Sequence, residues 1–231
     1  MALPLLITTG EPAGIGPELT LMLAAQGRLN NTVAVGDPTL LAQRAALLAL
    51  TVEIVVAEPG SQQVSSPGRL VVWPVALRAP ATPGVLDPAN AGYVLDTLQT
   101  AVEACLAGHA AAMVTAPLHK GVIIEGGYPH FTGHTEWLRD ACGVDEVVML
   151  LATDAALHAT SPQWQGESDL RVALVTTHLP LRDVADAITG ERIARISRLL
   201  VADLQRQFGI AQPRVAVCGL NPHAGEDGHL G

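Results

Sequence analysis

LPLLITTGEPAGIGPE, residues Leu3 to Glu18, decides the fold. The apolar run 3–8 ends at once in a turn rich in Gly and Pro, so it reads as a buried strand. Pro17 is placed where a first helical turn tolerates it, and a helix is expected over 17–26. Gly10, Gly14 and Gly16 lie between strand and helix, where they allow close approach of backbone to a ligand. The turn lacks both G-x-G-x-x-G and the Lys-Ser/Thr of a Walker loop. It reads equally as a tight strand–helix turn and as a binding loop.

The same alternation continues along the chain. Strands are expected over 32–36, 52–57, 69–75, 111–114, 146–152, 170–177 and 214–218. Helices are expected over 38–50, 90–108, 133–142 and 189–208, with Asp87 or Asn90 capping the second. Residues 60–68, 77–87 and 155–169 read as irregular connections, the last as a loop insertion with no functional account. Apolar strands alternating with helices give an α/β fold of α/β/α layers with a largely parallel sheet. The 231 residues are expected to form one α/β region with interdigitated subdomains.

Composition excludes several classes. Hydrophobic residues make up 49% and charged residues 15%, enough apolar material for a large core and too little charge for disorder. A net charge of −9 is wrong for a phosphate-backbone binder, and 3% aromatics leave little for base stacking. No nucleic-acid partner is expected. Cys105, Cys142 and Cys218 are too few and too scattered for a disulfide framework or zinc knuckle, and read as three buried thiols in a reducing compartment. No apolar run is long enough for a membrane span, and no signal-peptide pattern follows Met1. The cytoplasm is the expected location, without a membrane partner.

In α/β sheets, ligands bind at the carboxyl ends of strands, and four such ends carry chemistry. The first is the glycine turn. The second is Thr115-Ala116-Pro117-Leu118-His119-Lys120, where Lys120 can neutralise a carboxylate or phosphate, move a proton, or be a plain surface lysine. The third is Phe131-Thr132-Gly133-His134-Thr135-Glu136-Trp137. There an imidazole, hydroxyls and helix N-terminal amides suit a phosphate or carboxylate, and Thr132 or Thr135 equally suits a helix cap. The fourth is a pair of segments, Thr176-Thr177-His178-Leu179-Pro180 and Gly219-Leu220-Asn221-Pro222-His223-Ala224-Gly225. If their strands are neighbours, His178 and His223 can share one Zn²⁺, Co²⁺ or Fe²⁺. Each is as readily a hydrogen-bonded loop residue. Two ligands fall short of a catalytic zinc set, and His229, close to His223 in a Gly-rich loop, is a candidate third. No G-x-S-x-G elbow is present.

Taken together and in order, these segments resemble the 4-hydroxythreonine-4-phosphate dehydrogenase family of pyridoxal phosphate biosynthesis, over about residues 5–231. The resemblance implies a fold like the isocitrate and isopropylmalate dehydrogenases, with two subdomains flanking a cleft. It implies a homodimer with active sites shared between subunits. It also implies NAD or NADP bound without a Rossmann fingerprint, and a divalent metal (Zn, Mg or Co).

By matching motif, His134 and Thr135 bind substrate and His178 and His223 bind metal. Lys120 is assigned proton transfer or carboxylate pairing, and no cofactor-binding residue is assigned. The implied reaction oxidises 4-phosphooxy-L-threonine to a β-keto acid that decarboxylates to 3-amino-2-oxopropyl phosphate. The family's third metal histidine, in an Ala-x-Tyr-His-Asp-Gln-Gly type segment, does not occur in this sequence. The chain is therefore expected to be C-terminally truncated, to bind metal weakly and to be inactive alone. Alternatives are dehydrogenases of threonate or erythronate phosphate or of aromatic dicarboxylate cis-dihydrodiols, and a non-catalytic anion-binding fragment.

Overall fold

The computed structural model describes residues 2–153, 170–221 and 229. The chain divides into two compact units, Met1–Asp145 and Glu146–Gly231.

The first unit is built on strands β1 (Leu5–Thr8), β2 (Thr32–Gly36), β3 (Glu53–Val56), β4 (Arg69–Pro74) and β5 (Ala112–Thr115). They pair in the order β3-β4-β2-β1-β5, every pair parallel. Helices α1 (Gly16–Ala25), α2 (Pro38–Leu47) and α3 (Ala91–Leu106) cover the sheet. Strand side chains alternate between faces. Val33 and Val35 of β2 and Val71 and Trp73 of β4 pack with Ala101 and Ala104 of α3. Ala34, Leu70 and Val72 point the other way, onto Leu21 and Ala24 of α1 and Leu41 and Ala45 of α2. The expected α/β/α layers are thus present, with Trp73 the one aromatic side chain in these two clusters.

The helices start where the sequence allows. Pro17 occupies the first turn of α1. Asp37 caps α2, its Oδ1 accepting from Leu40 N–H at 2.8 Å and its Oδ2 from Leu77 N–H at 2.9 Å. α2 ends before residue 50 because Ala49 turns left-handed, at φ 51°. Asp87 caps a 3-10 turn, Pro88–Asn90, that leads into α3. Asn90 makes no capping bond. Its side chain instead fastens the irregular 77–87 segment by bonds to Arg78 N–H, Ala79 N–H and the Ala79 carbonyl.

Two short helices follow β5, α4 (Lys120–Glu125) and α5 (His134–Ala141). Sequence reasoning missed α4. It is one and a half turns long, its cap is the unusual His119, and Gly126-Gly127 follow at once.

Buried polar bonds tie the strand ends together. Tyr93 is fully buried in α3, and its hydroxyl meets Thr9 Oγ1 at 2.9 Å and accepts from Asp37 N–H at 3.2 Å. Burial, more than its partners, raises its pKa to about 12, so the phenol stays protonated. Arg44 of α2 is also buried. It donates to the Pro12 carbonyl at 3.0 Å and pairs with Glu18 at 3.6 Å, holding the glycine turn from the α1/α2 side.

The second unit departs from the expected pattern. β6 (Leu150–Ala152) and β7 (Arg171–Ala173) pair antiparallel and are shorter than the expected strands over 146–152 and 170–177. The expected strand over 214–218 does not form. It has no ladder partner among the described residues, and Val215 and Val217 are 40% and 63% exposed. A 3-10 turn (Leu181–Asp183), α6 (Val184–Ala187) and α7 (Gly190–Arg206) complete the unit. Thr189 caps α7 through Arg192 N–H at 3.1 Å. Arg192 and Arg195 both pair with Glu146.

The insertion over 155–169 lies outside the described residues. The expectation of three buried thiols is corrected: Cys105 is half-buried, while Cys142 and Cys218 are exposed. Among the described residues no helix is long and apolar enough to cross a membrane.

Tyr93→Phe tests the strand-end bolt. It keeps the ring, leaves Asp37 N–H without its partner, and leaves Thr9 Oγ1 with only its longer bond to the Val35 carbonyl. A loss of about 1–3 kcal/mol in urea unfolding is expected. An unchanged midpoint would show that the hydroxyl carries no structural weight.

Candidate active site

Strand order places the site. From β1 the chain first moves to β2, β3 and β4 on one side, then returns through α3 to β5 on the other. The direction of winding reverses between β1 and β5. In open parallel sheets, the crevice at such a reversal is where ligands bind. The loops leaving these two strands are the glycine turn and the segment from Ala116 to Lys120.

Their backbones touch. Glu11 N–H donates to the Pro117 carbonyl at 3.0 Å. Gly10 has φ 68°, and a Cβ there would run into the same carbonyl oxygen. Glycine is required on both counts. Glu11 itself is 4% exposed. Its Oε1 accepts from Ala13 N–H at 3.0 Å, and its Oε2 is buried without a partner. Burial pushes the Glu11 carboxyl up. The Ala13 N–H and nearby His119 pull it down, and Asp87 pushes it further up.

His119 Nδ1 accepts from Val122 N–H at 3.2 Å and so caps α4. This cap makes Lys120 the first residue of α4. No hydrogen bond or ion pair holds the Lys120 side chain among the described residues. Its Cε and Nζ lie 2.9 Å from where a Gly133 Cβ would be. Gly133, at φ 141°, precedes α5. Any side chain here would be strained and would displace the ammonium.

Neither Thr132 nor Thr135 caps α5, because its N-terminus has no side-chain capping bond. The helix-cap reading of this segment is thereby corrected. The first-turn amides are left for another acceptor. His134 Nε2 and Glu136 Oε2 are buried and unpartnered. Burial first, and the Lys120 ammonium second, hold the His134 pKa below its ordinary 6.5. His134 is therefore neutral at physiological pH.

Lys120, His134 and Thr135 are thus gathered at one place in the first unit, at the carboxyl ends of β1 and β5. Their chemistry is an uncapped helix N-terminus, a neutral imidazole and a free ammonium. That set takes an anion with several oxygens. Sequence reasoning quoted Glu11, His119 and Glu136 within their motifs and gave them no role. Their burial and unsatisfied oxygens become visible only in three dimensions.

The proposed metal ligands belong to the second unit. His178 is exposed, on a left-handed residue at φ 54°. Left-handed backbone is uncommon outside glycine, although histidine adopts it more often than most side chains, and such conformations cluster at functional sites. His223 lies outside the described residues. His229 is exposed. Among the described residues, no three His, Cys, Asp or Glu side chains form a group that could hold a metal ion.

Residues 28–231 match the family model of pyridoxal phosphate biosynthetic protein PdxA. The chain belongs to the PdxA family. Two curated relatives, both named 4-hydroxythreonine-4-phosphate dehydrogenase, show how near it lies to other PdxA proteins. That of Pseudomonas aeruginosa is 51% identical, over 100% of this chain and 66% of the relative. That of Pseudomonas putida is 53% identical, over 97% of this chain and 64% of the relative. The chain thus spans slightly less than two thirds of the length of these relatives.

Solved structures agree. A Klebsiella pneumoniae 4-hydroxythreonine-4-phosphate dehydrogenase superposes with a TM-score of 0.85 at 30% identity, covering 100% of this chain and 67% of that one. A terephthalate 1,2-cis-dihydrodiol dehydrogenase from Burkholderia xenovorans reaches 0.63 at 25% identity, covering 100% and 66%. The fold is accordingly the isocitrate dehydrogenase-like α/β fold of the PdxA dehydrogenases.

Lys120→Met tests the electrostatic link. Removing the ammonium should move the His134 pKa up toward 6.5, followed by NMR titration of the imidazole Cε1 proton. No movement would separate the two side chains.

Proposed function

We propose that the protein is a dehydrogenase of pyridoxal phosphate biosynthesis. It would oxidise 4-phosphooxy-L-threonine with NAD or NADP to a β-keto acid that decarboxylates to 3-amino-2-oxopropyl phosphate. It would act as a homodimer. The observation that carries the reading is the anion seat: the uncapped start of α5, His134 Nε2 without a partner, and the Lys120 ammonium over Gly133.

The chain's own residues act on the phosphoryl end and on charge. The first-turn amides of α5 donate to phosphoryl oxygens, with Thr135 beside them. His134, kept neutral, offers Nε2–H to an oxygen rather than adding a second full charge. Lys120 offsets the substrate's negative charge, or passes a proton to and from the reacting carbon's oxygen. Gly133 leaves room for the Lys120 ammonium.

His178 and His223 would hold a divalent ion such as Zn²⁺, Mg²⁺ or Co²⁺. Imidazole suits the transition ions among these, and His178 presents its ring from a strained, exposed position. When bound, the ion supplies Lewis acidity that lowers the pKa of the substrate hydroxyl, and the nicotinamide supplies the hydride acceptor.

Threonate or erythronate phosphates would share the seat. Aromatic dicarboxylate dihydrodiols lack a phosphate, and the structure of that type superposes less well than those named for the phosphorylated amino acid.

Because this stretch covers part of the relatives' length, binding is the direct test. Calorimetry should show 4-phosphooxy-L-threonine binding at least about tenfold tighter than L-threonine, with His134→Ala and Lys120→Ala each removing about that advantage. Equal affinity for the two ligands would contradict the reading. The metal assignment is checked by dialysis against Zn²⁺ or Co²⁺, where His178→Ala and His223→Ala should each retain less ion.

A further inference from the structure

Beside the anion seat lies a cavity of about 370 Å³ that the proposed reaction does not use. Leu95, Tyr128, His130, Phe131, Glu136 and Trp137 line it. The chain has only three Trp, two Tyr and two Phe, and one of each lines this single cavity. Phe131 is buried in the same apolar cluster as Tyr93 and Ile123, with Tyr128 and Trp137 packed against it. The aromatic wall is therefore anchored to the core of the first unit. Its volume lies in the range of small-molecule pockets.

Two features say what would fill it. Thr132 and Glu136 line the cavity and flank Gly133 and His134, so the cavity adjoins the seat where the Lys120 ammonium lies. Glu136 Oε2 is buried there without a partner, 3.7 Å from the position of a Gly133 Cβ. A buried carboxylate oxygen needs a donor. Aromatic walls need a flat, apolar-faced group. A phosphoryl group in the seat would extend naturally into such a pocket.

We propose that this cavity is a binding site for a phosphorylated pyridine, its ring among Tyr128, Phe131 and Trp137. The ring nitrogen or a ring hydroxyl donates to Glu136, and the phosphate occupies the start of α5. A carboxylate paired with a pyridine nitrogen is the usual way proteins hold such rings. The inference rests on the anion seat of the proposed function and adds the ring site to it. Pyridoxine 5′-phosphate has this chemistry: one methylene separates ring and phosphate ester, and both the ring nitrogen and a ring hydroxyl can donate. Nicotinamide mononucleotide is the control, because its ring nitrogen carries the ribose and has no hydrogen to donate. Because the seat is shared, pyridoxine 5′-phosphate would compete with the phosphorylated substrate.

The test is calorimetric titration of the purified chain with inorganic phosphate, pyridoxine 5′-phosphate and nicotinamide mononucleotide. Pyridoxine 5′-phosphate should bind about tenfold tighter than phosphate. Trp137→Leu and Tyr128→Leu should each remove about that gain while leaving phosphate affinity within about twofold. Glu136→Gln, which keeps shape and packing, should weaken the pyridine selectively. Nicotinamide mononucleotide binding tighter than pyridoxine 5′-phosphate would overturn the pairing with Glu136. If phosphate binds and neither pyridine binds tighter, the ring site is overturned and the seat stands. If the pyridine gain survives all three substitutions, the ring lies elsewhere and the proposal fails. If phosphate itself does not bind, the seat fails and the proposal with it.

Discussion

A single backbone contact organises the first unit's chemistry: Glu11 N–H on the Pro117 carbonyl, 3.0 Å apart. It can form only because Gly10 has no Cβ and can hold φ 68°. It fixes the loop after the central strand β1 against the loop after β5, at the point where the sheet's winding reverses. Two residues beyond Pro117, His119 caps α4 and sets Lys120 as its first residue. From there the Lys120 side chain reaches Gly133, and Gly133 opens α5 with His134. Each step depends on the one before it. Arg44 and Tyr93 secure the same turn from the two sides of the sheet, through the Pro12 carbonyl and Thr9.

The electrostatics follow from this arrangement rather than from composition. A chain with net charge −9 is a poor general host for anions. The site makes its own exception with one ammonium, unpaired amides and an imidazole kept neutral. Burial does most of the work on His134, and Lys120 adds to it. Glu11 and Glu136 are the counterweight, two partly or wholly buried carboxylates with one oxygen each left unbonded. Polar groups left open in this way cost stability. They are the signature of a surface arranged for a ligand.

Much of this was legible in the sequence, for a definable reason. Strands in a parallel sheet are short apolar runs, and Gly, Pro and Asp punctuate them, so β1 to β5 and α1 to α3 could be read within a few residues. Lys120, His134 and Thr135 stood out because they follow strand ends. The failures are equally physical. α4 is too short to show a periodicity. Asn90 looked like a cap because its residue type suits one, while its side chain was committed to Arg78 and Ala79. The runs over 146–152, 170–177 and 214–218 have strand-like composition, but a strand needs a partner. Only three residues of each of the first two found one, and the third found none among the described residues. The aromatic cavity was invisible because its lining comes from α3, the 127–132 loop and α5 together.

The central claim is that a phosphoryl group sits at the start of α5 under Lys120. The most direct measurement is a crystal structure of the protein with 4-phosphooxy-L-threonine. The account predicts the phosphoryl oxygens within hydrogen-bond reach of His134 Nε2 and of the first-turn amides of α5. A ligand whose phosphoryl group lies away from both, with His134 Nε2 still unpartnered, would contradict it.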